Sequence, residues 1–167
     1  MTTDPTYWID TLQLEPHPEG GYYKEIYQSP QTHETADGRV RPLATSIYFL
    51  LTKENPSRFH RLTADELWYF HQGDALTVHM IYPDGCHGTV RLGPDAAKGE
   101  VLQAVVPAQT IFGSCVENGQ FALVSCMVSP GFDYADFELF TQKQLLALNS
   151  ELAPLIKRLA YDKLPER

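Results

Sequence analysis

The sequence predicts an all-β domain, a sandwich or barrel of about ten strands with one helix before it and a helical pair after it. Two observations carry that expectation. Between residues 21 and 140, short runs rich in β-branched and aromatic residues alternate with clusters of Gly, Pro, Asn and Asp. At both ends the texture turns helical, with apolar residues three and four positions apart. A length of 167 residues suits one domain, 1–167, with a β core over about 20–140 and helices over about 141–160. A domain of this size buries enough surface to need no disulfide or structural metal.

Each element has its own signal. Residues 4–14 read as a helix: Asp4 caps it, Pro5 suits its first position, and Trp8, Leu12 and Ile9 form an apolar face. The strand-like runs are 21–28, 43–52, 57–62, 67–71, 76–82, 88–92, 101–105, 110–117, 120–128 and 137–140. Turn signals such as Asn55-Pro56, Gly73-Asp74, Pro83-Asp84-Gly85 and Gly93-Pro94-Asp95 separate them. Asn118-Gly119 is expected to close a hairpin. The run 43–52 and the N-terminal strand are expected as sheet edges. Residues 130–136 read as a strand exit at the barrel mouth, where Phe132 and Tyr134 can cover a pocket. Thr141 and Gln144 form a capping box, and Leu145, Leu152, Ile156 and Leu159 continue an apolar stripe past Pro154.

The charge excludes some functions. A net charge of −8 disfavours nucleic acid or an anionic membrane as a partner, since both need a basic field. The excess acid lies in residues 62–140, mostly as solvated surface charge, with Glu66 set apart as an inward residue. No run approaches the ~18 apolar residues of a membrane span, and the N-terminus lacks the pattern of a secretory signal. The cytoplasm is the expected location.

One region carries chemistry. In Ser57-Arg58-Phe59-His60-Arg61-Leu62, strand alternation puts Arg58, His60 and Leu62 on one face. In Asp65-Glu66-Leu67-Trp68-Tyr69-Phe70 it groups Glu66, Trp68 and Phe70. If both faces point inward, a histidine meets a carboxylate that can fix its tautomer and raise its basicity. His17, His33 and His87 read as surface histidines. Cys86, Cys115 and Cys126 form no CxxC pair, and Cys126 reads as a small buried hydrophobe. Gly20-Gly21 lacks the strand-to-helix setting of a phosphate loop.

The spacing of His60, Glu66 and Gly73 resembles the first motif of the cupin superfamily, and Pro107-Ala108-Gln109-Thr110-Ile111-Phe112 resembles the second. His17-Pro18-Glu19-Gly20-Gly21-Tyr22-Tyr23, residues 45–51 and residues 130–138 narrow the resemblance. They are similar to a poorly characterised cupin branch that is related to the dTDP-sugar epimerases of rhamnose synthesis. The resemblance implies a double-stranded β-helix, the cupin jelly roll, and a homodimer that covers its exposed edges.

Archetypal cupins hold a metal with three histidines and a glutamate. Here Leu62, Gln109 and Phe112 stand where the motifs have a histidine, a glycine and a histidine. Of the histidines left to replace them, His71 lies on the opposite strand face from Glu66 by parity, which leaves His79. No cofactor is therefore expected, and a metal held by His60 and Glu66 is disfavoured. The epimerase resemblance implies metal-free proton transfer, with His60 as base, Glu66 as its orienting group, and Tyr23, Tyr48 or Tyr69 as acid. Expected substrate-binding side chains are Tyr48, Arg58, Trp68, Met80, Gln109 and Phe112. Trp68 and Phe112 would offer flat surfaces, and Gln109 would read a hydroxyl or carbonyl. Arg58 departs from the Arg-Gly-x-His pattern of the epimerases.

The expected function is small-molecule binding, with isomerase or epimerase action on a sugar-like or other polar carbonyl compound. A non-catalytic sensor cupin is the alternative, and a metal-dependent oxygenase a third reading.

Overall fold

The computed structural model describes residues 4–166. In chain order it contains α1 (Pro5–Leu12), β1 (Glu15–Pro16), β2 (Tyr22–Gln28), β3 (Thr32–Glu34), β4 (Val40–Pro42), β5 (Thr45–Thr52) and β6 (Ser57–Arg61). There follow β7 (Asp65–Gly73), β8 (Leu76–Ile81), β9 (His87–Leu92), β10 (Gln103–Val106), β11 (Ile111–Val116), β12 (Phe121–Ser129) and β13 (Glu138–Leu139). Helices α2 (Gln142–Leu148) and α3 (Ala153–Leu159) close the chain. Each of the runs expected from the sequence contains a strand. The short β3–β4 hairpin and β1 carried too few apolar residues to be read in advance.

The strands form a six-stranded sheet, β1-β2-β5-β12-β7-β10, and a five-stranded sheet, β13-β6-β11-β8-β9. All named strand pairings are antiparallel. Phe49, Leu51, Trp68 and Val124 of the first sheet meet Val78, Met80 and Phe112 of the second in one core. The outer face of the five-stranded sheet is apolar too: Phe59, Ile81, Ile111 and Cys115 pack against Leu145, Ile156 and Leu159 of the C-terminal helices. That double burial explains why β8 and β11 are buried along their whole length. On the other side, Leu50, Phe121 and Leu123 of the six-stranded sheet take the apolar face of α1.

The local signals behave as their chemistry requires. The Asp4 side chain accepts from the Thr6 amide, and α1 ends two residues early because Gln13 turns left-handed (φ 55°). Thr141 and Gln144 complete the capping box of α2. Two expectations need correction. Asn118-Gly119 joins β11 to β12, which lie in different sheets, so the turn carries the chain across the sandwich and closes no hairpin. The run 43–52 is not an edge: β5 lies between β2 and β12, since its alternate residues are needed on both apolar faces.

Candidate functional site

A tight loop between β1 and β2 delivers two side chains that the motif spacing does not point to, His17 and Glu19. The His17 amide donates to the Gly21 carbonyl (3.0 Å) and the Gly20 amide to the His17 carbonyl (3.0 Å). The loop presses on β6, where the Arg58 amide donates to the Glu19 carbonyl (2.8 Å). Gly20 is required there: its φ is +111°, and a Cβ would lie 2.0 Å from the Pro56 carbonyl oxygen. Gly20-Gly21 thus serves close approach of backbone, not phosphate.

β6 supplies the facing groups through a bulge. Phe112 pairs with His60 and Ser114 with Ser57, so β6 carries one residue more than β11 over this stretch. The extra residue brings Ser57 and His60 to the same side, where both reach Glu19. The Ser57 hydroxyl donates to Glu19 Oε1 (2.7 Å), and His60 Nε2 lies 3.2 Å from Glu19 Oε2. Parity without the bulge would have sent Arg58 inward. Instead its guanidinium sits over the Tyr161 ring at 4.3 Å.

Hydrogen bonding fixes the protons. His60 Nδ1–H donates to the Arg58 carbonyl at 2.7 Å, which leaves a lone pair on Nε2. His17 Nδ1 accepts from the Glu19 amide at 3.2 Å, which commits its lone pair, and it lies 3.5 Å from Glu19 Oε2. A proton on Glu19 Oε2 relieves its repulsion with the His60 Nε2 lone pair, 3.2 Å away. Burial argues the same way. Desolvation, reinforced by the charge of Glu66, holds the Glu19 carboxyl well above the usual carboxylate range, while its bond to Ser57 pulls it down. Burial lowers His60 to about 3 and His17 to about 4. Burial thus favours neutral imidazoles beside a protonated Glu19. The His60 ring is wedged between Phe112 (4.1 Å) and Phe137 (5.4 Å), which fixes its plane.

His17, Glu19 and His60 line a cavity of about 300 Å³ inside the β core. Glu66 and Cys126 line it from β7 and β12, and Tyr23, Phe49, Phe132 and Tyr134 add an aromatic wall. The wall depends on residues 130–136, as expected of a strand exit at the mouth. That segment is held by the Arg41 guanidinium, which donates to the Gly131 carbonyl (2.9 Å) and pairs with Asp136. The Phe132 amide donates to Thr45 Oγ1 (2.9 Å). Desolvation pushes the Glu66 carboxyl up to about 8, against the pull of nearby Trp68 and Cys126, and its Oε2 has no hydrogen-bond partner.

The expected site residues divide clearly. His60 and Glu66 line the cavity together, but His60 is paired with Glu19 and not with Glu66. Trp68, Met80 and Phe112 belong to the packed core behind it. Arg58 is outside the cavity lining for the reason given above, and Gln109 is exposed, its amide donating to the Leu62 carbonyl (2.9 Å). Tyr48 lies on the outer face of the six-stranded sheet, near His71 and α1. Of the three candidate acids, Tyr23 alone lines the cavity. His17, read as a surface histidine, has only 7% of its side chain exposed. Its position in a glycine-rich turn concealed that burial.

The residues present do not fit the archetypal cupin metal. Leu62 and Phe112 offer no donor, so of the four archetypal ligand positions only those of His60 and Glu66 carry one. His71 points outward to Ser125 Oγ (2.6 Å). His79 lies on the outer face of its sheet, 3.6 Å from Glu117 and in reach of Cys115. There Arg158, 3.7 Å from Glu117, already supplies a positive charge.

The fold and cavity define a cupin, and comparison with known proteins places the chain within one family. Residues 6–140 match the family described as Cupin superfamily (DUF985), Cupin_5, and the chain belongs to it. It is 35% identical over 143 residues to the uncharacterised protein YML079W of Saccharomyces cerevisiae, covering 77% of this chain and 71% of that one. Among solved structures it is similar to protein SO0799 from Shewanella oneidensis (45% identity, TM-score 0.91, 98% of this chain and 100% of that one). It is likewise similar to a hypothetical protein from Leishmania major (43% identity, TM-score 0.89, 94% and 98%). A cupin 2 barrel protein from Rhodopseudomonas palustris shares the fold at 12% identity and TM-score 0.57, covering 85% of this chain and 81% of that one.

Proposed function

We propose that the chain binds a small polar carbonyl compound in this cavity and moves a proton on it, as a metal-free isomerase or epimerase. The observation that supports the reading is the His60–Glu19 pair, with Nδ1 of His60 committed to a carbonyl and Nε2 facing a protonated carboxyl. His60 Nε2 takes the proton from the carbon beside the substrate carbonyl, while Glu19 gives its own proton to the carbonyl oxygen. The products are an enol, an imidazolium and a carboxylate 3.2 Å apart, so the charge separation is compensated where it forms. Return of a proton to either face of the enol carbon completes the reaction. Glu19 thereby takes the acid role that the sequence left among the tyrosines, and Ser57 orients it.

The test is solvent-deuterium incorporation into a carbonyl ligand recovered from the purified protein. Wild type is expected to exchange the carbon-bound proton. His60→Asn is expected to bind the ligand and lose the exchange. A wild-type protein that holds such a ligand for hours without exchange would overturn the catalytic part and leave a binding cupin. We further propose that two copies associate along the β2 edge.

A further inference from the structure

We propose that the molecule this cavity takes carries a positive charge, an alkylammonium or quaternary ammonium group that lodges between Glu66 and the aromatic wall. The inference rests on the reading of the cavity as a binding site and not on proton transfer within it. Its first support is the acidic character of the lining. Three carboxyl side chains line the cavity, Glu19, Glu25 and Glu66, and no lysine or arginine does. An anionic phosphate or sulfate would enter a low-dielectric space with no counter-charge, which disfavours it. The guanidinium that a nucleotide-sugar would need, Arg58, is turned away over Tyr161.

The second support is an unfilled valence. Glu19 has partners for both oxygens, Ser57 on Oε1 and His60 on Oε2. Glu66 Oε2 makes no hydrogen bond, although Trp68 and Cys126 lie beside the carboxyl and only 7% of the residue is exposed. Buried polar atoms of native proteins are paired, so a buried carboxyl on the cavity lining with one oxygen left unpaired favours a guest of opposite charge. The third support is the wall. Tyr23, Phe49, Phe132 and Tyr134 line the same space, with Phe132 and Tyr134 edge to face at 5.0 Å and His17 edge-on to Tyr23 at 4.7 Å. Aromatic faces attract a desolvated cation and accept its methyl or methylene groups. A carboxylate set among aromatic rings is the arrangement that recognises organic ammonium ions, and it gains nothing from an anion. Entry of the cation draws the proton from Glu66 to solvent, leaving a neutral ion pair in the cavity.

Choline and 3,3-dimethylbutan-1-ol test this directly, because they have the same shape and differ in charge. Titration of the full chain, followed by calorimetry or amide NMR shifts, is expected to show choline binding at least about tenfold tighter than the alcohol. Thymidine diphosphate is expected not to enter. Glu66→Gln is expected to abolish the preference for choline while leaving the circular dichroism spectrum unchanged. If that variant does not fold, the wild-type comparison stands without it. Equal affinity for the two isosteres, tighter binding of the diphosphate, or no response to choline, trimethylamine and phenethylamine at millimolar concentration would each overturn the proposal. Proton transfer is scored separately by deuterium exchange, so loss of one reading leaves the other measurable.

Discussion

Burial moves the titratable groups of the cavity in opposite directions, and the net effect on stability can be worked out. Glu66 titrates near 8 when folded, against an ordinary value of 4.5, so between those values the folded protein holds a proton that the unfolded chain has lost. Glu19 acts in the same sense. His60 and His17 act in the opposite sense but only below their ordinary value of 6.5, because both are neutral in either state above it. From pH 6.5 to about 8, stability therefore falls as pH rises, by up to about 1.4 kcal/mol per pH unit from Glu66, with Glu19 adding in the same direction. Thermal midpoints across that window should decline in wild type and decline less steeply in Glu66→Gln. A rising midpoint in wild type would contradict the burial of neutral carboxyls. At this scale the sequence showed His60 and Glu66 through motif spacing, but not their partners. Glu19 lies 41 residues before His60 in the chain, and no local pattern announces a contact at that separation.

The elements that build the site are a glycine-rich turn and a bulged strand. Gly20→Ala places a methyl group against the Pro56 carbonyl in a left-handed backbone, so the 17–21 loop must lift from β6. We expect a loss of at least about 2 kcal/mol in urea unfolding and, with Glu19 displaced, loss of ligand exchange. A variant with unchanged stability and exchange would show that the loop does not depend on this contact. The bulge in β6 is the other decisive element. Strict alternation predicts that Arg58 shares a face with His60, and one additional residue reverses it. Strand existence was legible because β-branched and aromatic runs must bury a face. Strand partnership was not, and the Asn118-Gly119 turn shows why: the same dipeptide that closes hairpins also fits a crossing between sheets.

At the scale of the molecule, the sheet order leaves one conspicuous edge. β1 covers β2 only at Tyr22 and Tyr23, and the rest of that strand faces outward. Ile26 and Tyr27 on it are each 51% exposed, and Leu43 nearby is 41% exposed. Open apolar edges invite pairing with a second copy. Light scattering is expected to report a homodimer, and Ile26→Glu to shift it towards monomer; a wild-type monomer at micromolar concentration would refute the association. Among the described residues no helix is long and apolar enough to cross a membrane.

The amino-acid sequence by itself determined the number and position of the main strands, the three helices with the caps of the first two, and the family. Burial periodicity and turn chemistry are local, and the family motifs are fixed spacings. The tertiary structure alone decided which strands are central, which histidines are buried, and that His60 meets Glu19 and not Glu66. Those outcomes depend on bulges, sheet crossings and a turn packed against a distant strand. Their energies come from contacts between residues far apart in the chain.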